Sequence, residues 1–464
     1  MSQGELASVV AELRVVVARL EATVAELNQA VTARDARIAE LEKLLEASRR
    51  SGKRQSAPFS KGQGSVDPAK PGRKAGDEHG RHGHRAAPVH PPDRELEAPL
   101  PGCCPHCGGD VELEREDEQF QVDLPPIRPV TTRFRVGVGR CTTCRRRVQG
   151  RHPEQTSDAL GAAGSQVGPT AKSWGHWAHY GLGLSFGKCS ELLRRLGIDV
   201  TAGALCQAAQ STGSALVPVH AEIVRRVNAS PVVTADETGW RVGGRSAWLW
   251  VVTAQGVTAY NVADGRGFEE ACEVLDAGYD GVLVRDGWGP YRLYEKATHQ
   301  SCVAHFLRRC NEMIDDNPGW ARGTPRHVKD MLLDALAARD LGARRRKALA
   351  ADLIDRIEIL ADQAHPYDAN RKLVAHLHNE RHALFTFLTH PDVPATNWKA
   401  EQGVRPAVVN RKVWGGNRTW RGAATQSRIM SVLRTAAQQG VDAIDWLTRY
   451  ARAPDLALSP LFTE

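Results

Sequence analysis

From Leu6 to Leu45 the chain repeats itself every seven residues. Val10, Val17, Val24, Val31, Ile38 and Leu45 form one apolar series. Leu6, Leu13, Leu20, Leu27 and Leu41 form a second, with Arg34 taking one of its turns. The two series are offset by three and then four residues, which makes them the a and d positions of a heptad. A β-branched residue at a with leucine at d favours a parallel two-stranded coiled coil. A helix packed on the core of its own chain is the competing reading. We expect residues 1–48 to be a coil that dimerises the protein or binds a partner helix, with Arg34 weakening one layer and setting register.

The repeat gives way to a different composition over residues 49–98. Pro, Gly, Ser and basic residues dominate there, as in Lys53-Arg54, Lys70-Pro71-Gly72-Arg73-Lys74 and Arg81-His82-Gly83-His84-Arg85. Such a stretch cannot bury enough apolar surface to offset chain entropy, so a disordered basic linker is expected. Its charge suits phosphate contacts without sequence preference; a solvated linker with no partner is the plain alternative. Elsewhere the 464-residue chain is rich enough in apolar residues to build cores, and its length suits roughly three domains. No run approaches the ~20 apolar residues of a membrane helix. Glu5, Glu12 and Arg14 interrupt the N-terminus as a secretory signal. Four of the ten cysteines fall into two Cys-x-x-Cys pairs, which points to a reducing compartment, the cytoplasm, and to a metal. The formal charge of +7 is modest, so the clustering of the cations matters more than their sum.

The pairs are Cys104-Pro105-His106-Cys107-Gly108-Gly109 and Cys141-Thr142-Thr143-Cys144. Two knuckles of this kind supply four thiolates to a tetrahedral structural zinc, with no position left open for catalysis. Cys103 could replace Cys104. We assign residues 99–152 to this zinc-binding domain. Arg133, Arg135, Arg140, Arg145, Arg146 and Arg147 surround the second knuckle; they suit a DNA-facing surface or simply face water. We assign residues 153–229 to a helical DNA-binding domain, the helical pattern running from about Ser157 to Ala229. Ser190 to Gly197 runs through Ile198-Asp199-Val200-Thr201 into a second helix, the outline of a helix-turn-helix. Thr201 would cap that second helix. An ordinary helical hairpin has the same outline.

The residues suited to catalysis follow. Pro231-Val232-Val233-Thr234-Ala235 is expected to be a buried strand ending in Asp236-Glu237-Thr238. Ala247 to Thr253 and Val257 to Val262 follow as strands joined at Gln255-Gly256, then a helix from Phe268 to Leu275. Val282 to Arg285 is a fourth strand, ending in Asp286-Gly287. Three antiparallel strands, a helix and a parallel strand is the order of the ribonuclease H-like fold, in which acids at the ends of the first and fourth strands face each other. Here those are Asp236 and Asp286. Residues 325–392 form a helical insertion between two parts of this core, 230–324 and 393–464. After it, Thr396 or Asn397 can cap a helix carrying Glu401 on its first turn and Arg405 one turn on; an i, i+4 surface pair is the alternative. Cys302 and His305 alone are too few for structural zinc, so a buried histidine hydrogen-bonded in the core is expected, with which a supporting contact near the site is compatible. Arg411, Lys412, Trp414, Arg418, Trp420 and Arg421 interleave cations with aromatics, a composition suited to holding phosphates and stacking on bases.

The whole chain resembles the transposases of the sixty-six group of bacterial insertion sequences, a branch of the DDE transposases. The likeness rests on the leucine-zipper-like coil, the Cys-Pro-x-Cys domain, the Asp-Glu-Thr strand end and the Asn397-x-x-Ala400-Glu401-x-x-x-Arg405-Pro406 helix. It extends to Asp286-Gly287-Trp288-Gly289-Pro290-Tyr291 and to Cys302-Val303-Ala304-His305 with Arg308-Arg309. Trp398 and Gln402 depart from the residues usual at those places. The resemblance implies that Asp236, Asp286 and Glu401 are catalytic acids holding two magnesium or manganese ions. Metals about 4 Å apart would activate an attacking oxygen and stabilise the leaving one at a DNA phosphodiester. It also implies double-stranded DNA as partner, at element ends and target, a dimer or larger assembly, accessory proteins encoded by the element, and a bacterial, nucleoid-associated location. The rival readings are a non-catalytic DNA-binding protein derived from a transposase and a ribonuclease H-like nuclease of branched duplexes.

Overall fold

The computed structural model describes residues 86–454 together with Val17, Leu20, Thr23, Val24, Val31 and Leu461. Those five N-terminal residues are helical; the rest of the expected coil, and the linker before residue 86, lie outside the described residues. The chain divides into two units, Met1–Asp123 and Leu124–Glu464. In the first, residues 86–123 contain no helix or strand.

The second unit opens on a short antiparallel ribbon, β1 (Val138–Arg140) and β2 (Arg147–Gln149). Four helices follow: α1 (Pro169–His176), α2 (Phe186–Arg195), α3 (Ala202–Ala215) and α4 (Val217–Asn228). Thr201 caps α3, its hydroxyl accepting from the Ala204 amide at 3.1 Å. Residues 157–168, expected to be helical, hold only a single 3-10 turn at Gly161–Ala163.

A five-stranded mixed sheet forms the centre, giving an α/β domain. Its strands are β3 (Val232–Val242), β4 (Arg245–Ala254), β5 (Val257–Ala263), β6 (Val282–Arg285) and β7 (Thr298–Ser301). Across the sheet the order is β5-β4-β3-β6-β7, antiparallel for the first three and parallel from β3 to β7. The β3–β4 hairpin turns at Gly243-Gly244, both at positive φ, as a tight two-residue turn requires. The helix α5 after β5 is short, Phe268–Cys272.

Helices α6 (Val303–Asp316), α7 (Gly323–Ala337), α8 (Ala343–Ala361), α9 (Asp368–Leu384) and α10 (Thr386–Thr389) build a second apolar core beside β6. Leu283 packs into the main core while Val282 and Val284 pack into this second one. That explains why Val282-Leu283-Val284 shows no polar alternation. The chain then returns to the sheet through α11 (Trp398–Trp414), α12 (Trp420–Gln438) and α13 (Ala443–Arg452).

Helix α12 covers the exposed edge of the sheet in an uncommon way. The outward amides of Thr258, Tyr260 and Val262 on β5 donate to the hydroxyls of Thr435, Ser431 and Ser427, at 3.2, 2.9 and 3.1 Å. Four residues of helix advance about 6 Å and two of strand about 6.8 Å, so the two periods nearly match. A sheet edge that would otherwise offer unpaired donors is thereby closed.

Candidate active site

The parallel pairing of β3 and β6 sets Val232 against Val282, Val233 against Leu283 and Thr234 against Val284. Two more residues along from Thr234 and Val284 stand Asp236, on β3, and Asp286, just past the end of β6. Strand β3 does not end there, as expected from the sequence; it continues to Val242, paired with β4. Asp236 therefore sits where β3 outlives its parallel partner. The Asp286 carboxylate accepts from the Trp288 amide at 2.8 Å, which fixes the turn after β6.

Glu401 arrives on the first turn of α11. Asn397 occupies the cap position but makes no capping bond to α11. Its side-chain amide instead donates to the carbonyl of Ala235, beside Asp236, at 2.7 Å, and its backbone amide donates to the Cys302 sulfur at 3.2 Å. One buried asparagine thus ties the helix bearing Glu401 to the strand bearing Asp236. The helix can lie close on the sheet because residue 403 is glycine: a β-carbon there would stand 3.1 Å from Val251. The Tyr260 hydroxyl donates to the Gly403 carbonyl at 2.7 Å. Arg405 is exposed. Among the described residues the ion pair of Glu401 is with His305, at 3.7 Å, rather than with Arg405.

Burial, then the charge of Glu237 and those of Asp286 and Glu401, push the Asp236 carboxyl up to about 7. Glu237, on the opposite face of the strand, is held by Arg266 at 2.6 Å and by the Tyr291 hydroxyl at 2.6 Å. Burial nevertheless keeps its pKa above the usual range. Arg266 is itself stacked over Trp288 at 3.7 Å. Buried Glu380 from α9 grips Arg285, the residue preceding Asp286, and Arg292. Burial opposes ionisation of Glu380, but the two guanidiniums outweigh it and hold its pKa low. Asp286 and Glu401 thus act electrostatically on Asp236, and carboxylate oxygens are the ligand type that hard divalent cations take.

Beside them lies a cavity of about 340 Å³ lined by Asp286, Trp288, Cys302, His305, Arg309 and His376, among others. Contact with Cys302 raises the His305 pKa against the effect of burial, and Glu401 and Asp286 add to the rise.

The six basic and aromatic residues after the Glu401 turn divide into two groups. Arg411 bonds the Gly239 carbonyl and the Thr238 hydroxyl. Trp414 stacks on His179 at 4.6 Å and meets Trp240 edge-on at 5.7 Å. Both are engaged within the fold. Lys412, Arg418, Trp420 and Arg421 are exposed. The two knuckles share one local pattern. Cys104 donates to Gly109 and accepts from Gly108, and Cys141 donates to Arg146 and accepts from Arg145, all at 2.8–2.9 Å. Amides of His106 and Cys107 lower the Cys104 pKa, and those of Cys144 and Thr143 lower that of Cys141.

Sequence reasoning did not single out Glu237, Arg266, Glu380 or the bridging role of Asn397. The Asp236-Glu237 doublet was a visible signal. Glu380 gave none, because its partners lie 95 and 88 positions away.

A family model described as "Transposase IS66 family" matches residues 164–425. The chain is 25% identical over 316 residues to the uncharacterized protein y4qI of Sinorhizobium fredii (strain NBRC 101917 / NGR234), across 58% of this chain and 56% of that one. It is 24% identical over 185 residues to the uncharacterized protein y4jO of the same organism, across 39% of this chain and 56% of that one. The chain thus spans a little over half the length of these curated relatives.

Proposed function

The chain belongs to the IS66 transposase family, and on that footing we propose that it is a DDE-type DNA transposase. It binds the terminal inverted repeats of an insertion sequence and carries out metal-dependent DNA cleavage and strand transfer. The observation that carries this reading is geometric: the β3–β6 register sets Asp236 and Asp286 side by side, and Asn397 ties the Glu401 helix to Ala235 beside them. The β5-β4-β3-β6-β7 strand order, with its parallel second half, fits the ribonuclease H-like arrangement in which such acids operate.

Asp236, Asp286 and Glu401 would hold magnesium or manganese, which when bound supplies Lewis-acid chemistry at the scissile phosphodiester. Asp236 must give up its proton for that role, and the cation's charge offsets the burial and the repulsion that hold the proton on. Asn397 keeps Glu401 in reach of Asp236; Glu380, through Arg285, holds the strand end that bears Asp286. Lys412, Arg418 and Arg421 grip phosphates, and Trp420 offers a stacking face. The knuckle cysteines Cys104, Cys107, Cys141 and Cys144 are proposed zinc ligands. DNA, a second copy joined through the N-terminal coil, and element-encoded accessory proteins are the proposed partners.

The alternative, a transposase-derived protein that binds DNA without cutting it, requires loss of an acid, and all three are present. Glu401→Ala should abolish cleavage of repeat-bearing DNA while leaving repeat binding intact. Cleavage by the variant at the wild-type rate would remove Glu401 from the site.

A further inference from the structure

Cys302, His305 and Glu401 bring a thiol, an imidazole and a carboxylate together, with one ligand atom from each lying within 4.8 Å of the others. We propose that this trio is a second, thiophilic metal site, taking zinc or a similar borderline cation, and that its occupation withdraws Glu401 from the carboxylate set and stops cleavage. The inhibitory half rests on the function proposed above; the metal site does not.

The geometry suits such an ion better than it suits a simple contact. The 3.7 Å between His305 Nε2 and Glu401 Oε1 is too long for a hydrogen bond. Tetrahedral zinc with bonds of about 2.0–2.3 Å places its ligand atoms roughly 3.3–3.8 Å apart. The Cys302 sulfur sits at the N-terminus of α6 and accepts the Asn397 amide, which fixes its position beside His305. His305 Nδ1 is buried without a hydrogen-bond partner among the described residues. An ion could approach through the adjoining cavity, which Cys302 and His305 line. Three protein ligands leave the fourth position to water. Magnesium would not compete well there, because hard cations avoid sulfur. Binding would release the Cys302 thiol proton.

The full-length protein, its knuckle cysteines first filled with zinc and the excess removed, is titrated with cobalt(II) and followed by absorption. Wild type should bind one further cobalt with a sulfur-to-metal charge-transfer band. Cys302→Ser keeps an acceptor for the Asn397 amide and should lose that band, with affinity lower by at least about 100-fold. His305→Gln provides an independent check should the first variant fold poorly. No added band in wild type, or an equal band in Cys302→Ser, would overturn the site. Zinc should also inhibit magnesium-dependent cleavage by wild type, each variant being compared with its own zinc-free rate, and inhibit Cys302→Ser much less. Cobalt bound at Cys302 with cleavage untouched by zinc would uphold the metal site and overturn its inhibitory role, the catalytic assignment of Glu401 being tested separately by Glu401→Ala.

Discussion

Asp236 carries more information than any other single residue. Burial and three neighbouring carboxylates raise its carboxyl from 3.8 to about 7. The folded state therefore holds a proton that the unfolded state has lost between roughly pH 4 and pH 7, and stability falls as pH rises through that window. At ~1.4 kcal/mol per pH unit the whole effect is at most roughly 4 kcal/mol. Without divalent cations, Asp236→Asn should melt several degrees above wild type at pH 8 and close to it at pH 4. Thermal denaturation at the two values checks this, and an equal shift at both would remove the electrostatic explanation. Asp236, Asp286 and Glu401 could be picked out in the sequence because acids after apolar strands, or on a first helical turn, stand out. The sequence offers Thr396 or Asn397 as the cap of this helix; Asn397 takes the position without a side-chain capping bond, and its bond to Ala235 is a long-range contact that no local pattern encodes.

Elements were readable where apolar pattern and turn residues agreed. Val282–Arg285 and the Gln255-Gly256 hairpin fall where their residues predict. The extension of β3 to Val242 was hidden because Glu237, Thr238 and Arg241 look polar, and the partner that orders them is the β4 hairpin. The hydroxyl ladder of α12 was hidden too, since Ser427, Ser431 and Thr435 lie four apart in an otherwise ordinary helix. Ser431→Ala leaves the Tyr260 amide buried and unpaired, and should cost about 1–3 kcal/mol in urea unfolding. A neutral result would mean that another acceptor reaches that amide. Glu380→Gln leaves Arg285, 3% exposed, without its counter-charge. Breaking a buried pair of this kind costs about 3–5 kcal/mol, and a change within about 0.5 kcal/mol, the usual range for surface substitutions, would contradict the buried pair.

At the scale of the whole molecule, the heptads predict assembly and the acid set predicts chemistry. Leu13→Arg with Leu20→Arg places charge at two d positions and should shift the protein from dimer to monomer in sedimentation; an unchanged dimer would put the interface elsewhere. The most direct measurement is magnesium-dependent cleavage of a plasmid carrying the element's inverted repeats, wild type beside Asp286→Ala. The account predicts nicks at the repeat ends with wild type alone, supplied with accessory proteins if the element encodes them. Repeat binding without cleavage under those conditions, or cleavage equal in both proteins, would contradict it.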